Sequence, residues 1–127
     1  MATYNKFNSF VEALAEKVHN LGSDTLKVAL TNSAPAATMT KLSELTGAIA
    51  SPALDSVTLT VSSSSQTSGT YKLVVADKTM TASGAVGPFR YVAIYNDTAA
   101  NDELICWYDY GSEVTLASGD TFKLDFG

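Results

Sequence analysis

Three alternating runs, FRYVAIYNDT, ELICWYDYG and GDTFKLDF, fill the last third of the chain with only turn residues between them. In the first, Phe89, Tyr91, Ala93 and Tyr95 fall on one side and Arg90, Val92 and Ile94 on the other. In the second, Leu104, Cys106, Tyr108 and Tyr110 oppose Ile105, Trp107 and Asp109; in the third, Phe122, Leu124 and Phe126 oppose Thr121, Lys123 and Asp125. A period of two in aromatic and branched residues predicts strands with one or both faces covered. Their succession predicts an antiparallel meander as the simplest connection.

Upstream, Tyr4, Phe7, Val11, Leu14, Val18 and Leu21 recur every three or four residues, with Phe10 beside them. That stripe predicts an amphipathic helix over about 5–21, capped by Asn5 or Asn8 and ended by Gly22. Strands are expected at Thr25 to Thr31, Asp55 to Val61, Tyr71 to Ala76 and Thr79 to Ala82, where apolar residues alternate with polar ones. NSAPAATMT reads as a loop around Pro35, a helical turn is expected over Lys41 to Thr46 with Thr40 as cap, and SSSSQTSG reads as a polar hairpin loop. Gly84, Gly87 and Pro88 punctuate the entry to the aromatic runs. The expected fold is mainly β: an antiparallel sandwich or small barrel, with a jelly roll among the connections open to it, one N-terminal helix and a single domain over 1–127.

At 127 residues the chain is long enough to bury a core without disulfides or metals. Charged residues make up 17%, below the roughly 25% typical of soluble domains, and Ser and Thr take up much of the difference. The net charge is −5, with Arg90 the one arginine and the lysines scattered. Without a basic stripe to displace counterions, neither nucleic acid nor an anionic membrane is an expected partner. MATYNKFN lacks the apolar segment of a signal peptide, and no run approaches the ~20 apolar residues of a membrane helix, so a protein made in the cytosol is expected.

Residues able to carry chemistry are few. Cys106 is the lone cysteine, inside LICWY, and reads as a small buried hydrophobe. His19 is the lone histidine and reads as a solvent-facing helix residue. One His and one Cys cannot make a zinc site of the usual composition, and no nucleophile-elbow motif supports a Ser-His-Asp arrangement. Asn96, Asp97, Asn101, Asp102 and Glu103 could offer oxygens to calcium but lack EF-hand spacing, so a solvated hairpin loop is expected. Asp109, Glu113 and Asp120 could be imagined as a carboxylate pair for a small hydrolase, which alternation alone does not support. Trp107 reads first as core, with a protein or carbohydrate platform as the alternative. No catalytic, cofactor or metal residue is assigned.

The opening TYNKFNSFVEALAEKVHNLGSDTLKVALTNSAP, with GPFRYVAIYNDT, ICWYDYG and GDTFKLDF, resembles a group of small virion structural proteins of tailed bacteriophages. The likeness runs from Thr3 to Phe126 and is weakest between Thr38 and Ser68, where GAIASPALDS stands in place of the group's glycine-rich segment. The resemblance implies a non-enzymatic virion component, first of all a capsid decoration or cement protein. It would bind the major capsid protein on the outer shell as a homo-oligomer, with a trimer favoured. A head- or tail-fibre module or tail-completion protein, binding a host surface glycan, is the alternative. Contact residues are expected in the N-terminal arm (Thr3, Tyr4, Phe7), the loops around Pro35 and Ser65, and at Trp107.

Overall fold

A computed structural model describes residues 3–126. The strands are β1 (Thr3–Lys6), β2 (Leu26–Thr31), β3 (Val61–Thr67), β4 (Thr70–Val75), β5 (Lys78–Thr81), β6 (Val86–Asn96), β7 (Leu104–Leu116) and β8 (Thr121–Leu124), with one helix, α1 (Ser9–Ala15). The fold is mainly β and antiparallel. A four-stranded sheet runs β1-β7-β6-β2, and β3-β4 and β5-β8 form separate two-stranded pairs. The arrangement is sandwich-like, and among the described residues no sheet closes into a barrel.

The long β6-β7 hairpin is the frame and its alternation serves both faces, but bulges shift the expected phase: Phe89 lies with Val92 and Ile94, and Ile105 joins Cys106 while Leu104 lies on the opposite face. Val92, Ile94 and Cys106 join Leu26, Val28 and Leu30 of β2 on one face, under Leu59, Ala82 and Leu116. Ala93, Leu104 and Ala29 lie on the other with Phe7 and Leu45, and Tyr95 and Trp107 pack against them. The register makes this possible: Ala93 stands opposite Ala29 on one side and Trp107 on the other. The β3-β4 and β5-β8 pairs contribute Leu73, Val75, Phe122 and Leu124 to the first face, and the loop carrying Met39, Leu42 and Ala48 covers the second. Where β6 bends at a bulge, Gly87 has φ +115°, and a Cβ there would stand 2.6 Å from the Val114 carbonyl oxygen. Only glycine admits that approach.

Three expectations need correction. The helix spans Ser9–Ala15 rather than 5–21, and none of its residues is buried. Thr3–Lys6 instead pairs with β7, and Phe7 goes wholly under the sheet. A ladder plus a fully buried Phe, worth about 1.5–3 kcal/mol, outweighs one more turn of a marginal helix. Second, the closing run does not extend a meander: β8 pairs with β5, setting Met80 opposite Phe122, whose ring meets that of Phe89 edge-on at 5.1 Å. Third, SSSSQTSG is not a loop. Ser62 to Ser65 lie in β3, and the turn is Ser68-Gly69, with φ +52° and +82°. Positive φ at both central residues is the two-residue hairpin geometry whose twist suits the flanking strands.

Most other elements fall close to expectation. β2 lies within the expected 25–31, and the turn after Thr40 forms over Leu42–Glu44, where the Thr40 hydroxyl donates to Glu44 Oε2 at 2.6 Å. The strand expected at Asp55 to Val61 does not form: Val57 and Leu59 bond singly to the outer edge of β2, and the regular strand begins only at Val61.

Candidate interaction surface

The two edges of the main sheet end differently. Along β2, the outward groups of Leu26, Val28 and Leu30 are taken by Leu59, Val57 and Ile49 at 2.8–2.9 Å. At the opposite edge, the Phe7 N–H donates to the Ile105 carbonyl at 3.2 Å. That bond sets the phase of the β1-β7 ladder: Thr3 and Asn5, opposite Asp109 and Trp107, turn their backbone groups toward β7. Tyr4 and Lys6 therefore turn theirs outward, and no acceptor or donor meets them among the described residues. The open stretch ends at Asn8, whose N–H donates to the Ala37 carbonyl at 2.9 Å.

Two apolar grooves adjoin this edge. One, about 400 Å³, lies between the sheet, α1 and the β3-β4 hairpin, walled by Phe10, Leu14, Tyr71 and Leu73. The second, about 620 Å³, runs along β7 and β8 past Tyr110 and Phe122. Tyr4, Tyr108 and Phe126 belong to both. Their rings form a chain, Tyr4 to Tyr108 at 5.8 Å and Tyr108 to Phe126 at 6.3 Å, each edge-on. Among the described residues five large apolar side chains are notably exposed, namely Tyr4 (52%), Val11 (54%), Leu14 (41%), Tyr71 (47%) and Tyr110 (54%), and all but Val11 line these grooves. Scattered exposed hydrophobes are ordinary, but their collection beside an open strand edge is the signature of a contact face.

The Tyr108 and Cys106 groups behind this face are uncharged at neutral pH. Burial, helped by proximity to Cys106 and Tyr4, pushes the Tyr108 phenol up to about 12. Burial alone pushes the Cys106 thiol up to about 12, so its thiolate is essentially absent at neutral pH. Cys106 is buried in the sheet, in keeping with its reading as a small hydrophobe.

The residues singled out from the sequence are placed unevenly. Tyr4 is exposed at the open edge; the Thr3 side chain lies outside the described residues. Phe7 is wholly buried, and its ring lies tilted against half-buried Trp107 with centroids 4.6 Å apart. Phe7 thus corrects the expectation of a contact residue: it supports the arm instead of touching a partner. Pro35 is buried as well, whereas Ser65 is exposed on β3 opposite Lys72. Trp107, Phe7 and Tyr4 gather where β1 meets β7, and Ser65 belongs to the separate hairpin.

His19 departs furthest from expectation. It is buried, and its Nδ1 lies 2.9 Å from Asn96 Nδ2. The Asn96 side-chain oxygen accepts the N–H groups of Thr98 and Ala99, so its amide orientation is determined. Its NH2 donates one hydrogen to Asp24 Oδ2 at 2.7 Å and the other to His19. His19 Nδ1 must therefore accept, and the ring proton sits on Nε2, which is buried without a partner among the described residues. Burial lowers the His19 pKa, while Glu103 and Asp24 act the other way. No periodicity reveals this lock; the one sequence signal was the turn-forming Asn96-Asp97-Thr98.

The acidic residues are engaged locally. Asp97 pairs with Lys27 at 3.1 Å, and Glu103 accepts the Asn101 N–H. Arg90 holds Asp109 through two bonds of 2.8 and 3.1 Å, and with the Gly111 N–H keeps that carboxyl below the usual range. Asp120 accepts the Ala117 N–H in the turn before β8. Asp109 and Asp120 are thus tied up as structural acceptors. Among the described residues no group of three or more His, Cys, Asp or Glu is placed to hold a metal ion. No protein-family model matches the chain, and neither does any curated protein or solved structure.

Proposed function

We propose that this protein is a non-enzymatic structural component of a tailed-bacteriophage virion, a decoration or cement protein that binds the outer shell and stabilises it. The observation that carries the reading is the collection of Tyr4, Leu14, Tyr71 and Tyr110 on one face beside the open β1 edge. The motif resemblance from Thr3 to Phe126 supplies the class of assembly. A few aromatic anchors surrounded by hydroxyl-rich surface suit a contact of moderate strength per copy. Copies joined as a small ring, for which a trimer is the working choice, would engage several shell sites at once and gain about a hundredfold or more in avidity. A cement bound across neighbouring shell subunits adds contacts that must break before the shell opens. The major capsid protein is then the partner and the virion the location. Purified protein mixed with undecorated shells should bind to a saturating stoichiometry and raise their melting temperature. Absence of binding refutes the proposal.

A further inference from the structure

Resting on that reading, and naming how its copies join, we propose that β1 pairs antiparallel with β1 of a second copy about a two-fold axis at Asn5. Tyr4 of each copy then stands opposite Lys6 of the other. The topology leaves such a contact one form. Of the two edge strands of the main sheet, β2 is already bonded along its outer side by Leu59, Val57 and Ile49, and β1 is open. A head-to-tail ring built from sheet edges needs two open edges per copy, whereas a single edge pairs only with itself. The contact therefore closes at two, and the working trimer gives way to a pair.

Hydrogen bonding sets the register. Tyr4 and Lys6 point their N–H and C=O groups away from β7, and the Asn8 N–H beyond them is taken by Ala37. With Asn5 on the axis, the Tyr4–Lys6 pairing occurs twice and exchanges four hydrogen bonds, which use every open group of both residues. An axis at Tyr4 joins one described pair instead of two. An axis at Lys6 sets two ammonium groups face to face and calls on the Asn8 N–H, which is occupied. Asn5, which is neutral, is the residue that meets its own copy.

The side chains suit that register. Tyr4 and Lys6 lie on one face of the sheet, with Tyr108 and Cys106. Each Lys6 thus reaches over the exposed Tyr4 ring of the other copy, its stem along the ring and its ammonium at the ring face. Tyr4, Leu14, Tyr71 and Tyr110, each 41–54% exposed, line the grooves on that face and offer roughly 400 Å² per copy. A small specific dimer buries about 600–800 Å² on each partner, about three-fifths of it apolar, so the face carries what such a contact needs. The net charge of −5 does not oppose it here: Asp125 is the one carboxylate lining either groove.

Sedimentation equilibrium of the full chain should show monomers and dimers in exchange; monomer alone up to about 1 mM overturns the proposal. Asn5→Cys tests the axis. Residues directly opposite in a pair of this kind stand about 4.5 Å apart at Cα, within disulfide range, so mild oxidation should give a covalent dimer that reduction reverses. Cys106 is buried and does not compete. Ser65→Cys, exposed on the separate β3-β4 hairpin, should stay monomeric, and equal crosslinking of the two variants would reduce the Asn5 result to random collision and overturn the register. Lys6→Pro removes an outward N–H, leaves the Phe7–Ile105 bond, and should abolish the dimer. Should that variant fail to fold, mixing replaces it: Asn5→Asp and Asn5→Lys should each be monomeric alone and dimerise together, and no dimer in the mixture refutes the two-fold pairing. A monomeric chain whose Lys6→Pro variant no longer binds shells would assign the edge to the shell protein, against a second copy. The two proposals fail separately. Dimers that decorate no shell leave the pairing standing and remove the assembly reading; decoration by a chain that never pairs does the reverse.

Discussion

Replacing Asn96 with alanine should be among the most damaging single changes to this fold. The side chain is fully buried and makes four hydrogen bonds: to His19, to Asp24, and from the Thr98 and Ala99 N–H groups. Its loss leaves the buried His19 ring unsatisfied, at about 1–3 kcal/mol, and removes one hydrogen bond to the half-buried Asp24 carboxylate, at about 1.5 kcal/mol more, although Asp24 keeps the Asn20 N–H. Thr98 is exposed and Ala99 half-buried, so water can take their N–H groups at smaller cost. The sum is about 3–5 kcal/mol, a third or more of the stability of a typical domain. At roughly 3–5 °C per kcal/mol for a chain of this size, the melting temperature should fall by on the order of 10 °C or more. Calorimetry or urea unfolding reads this directly. The same network makes a second, independent demand. His19 is neutral when folded, because its Nδ1 must accept from Asn96, and burial holds its pKa below the unfolded value of about 6.5. A depressed histidine binds fewer protons folded than unfolded, so its contribution is complete above about pH 6.5 and drains away as pH falls toward the folded value. His19 is the one histidine, so a decline in stability between about pH 7 and 5.5 should flatten in His19→Gln. An Asn96→Ala loss under about 1 kcal/mol, or an unaltered protein whose stability rises as pH falls through that window, would refute the argument.

Two further changes probe the sheet. Phe7→Ala removes a fully buried ring from beneath Trp107 and should cost about 3–5 kcal/mol in urea unfolding, with Trp107 fluorescence moving to the red in the folded state. Cys106, its thiol pushed up to about 12 by burial, should resist a thiol reagent at neutral pH in the folded protein and react fully once urea unfolds it; rapid native labelling would contradict the packing.

What could be read from the residues, and what could not, divides along the range of the interactions. The β6-β7 hairpin was legible because alternation is a local property: Ala93 and Ile94 go to opposite faces whatever lies beyond them. The helix was overextended for a related reason. Tyr4, Phe7 and Val11 fit a helical stripe as well as they fit a strand followed by a turn, and only the presence of β7 alongside decides for the strand. β8 alternates correctly, yet nothing within GDTFKLDF shows that its ladder partner is Lys78–Thr81 some forty residues upstream rather than the adjacent β7. The serines of β3 are silent, since their strand character is lent by Leu73 and Val75 across the hairpin. The proposed contact face is one step further removed. An edge is defined by what does not pair with it, and each strand's own residues record its sidedness but not its neighbours. Tyr4 could be named as a contact residue from its place in the arm, but the open hydrogen bonds at Tyr4 and Lys6 follow only from the Phe7–Ile105 bond, two steps into the topology. His19 shows the same limit from the inside. Its burial is set by Asn96, far along the chain, so an isolated histidine on a helical wheel read as solvated became the centre of a lock between the α1–β2 connection and the end of β6. The surface and the lock both depend on long-range pairing, which explains why the chemistry of this chain is plainer in its fold than in its residues taken in order.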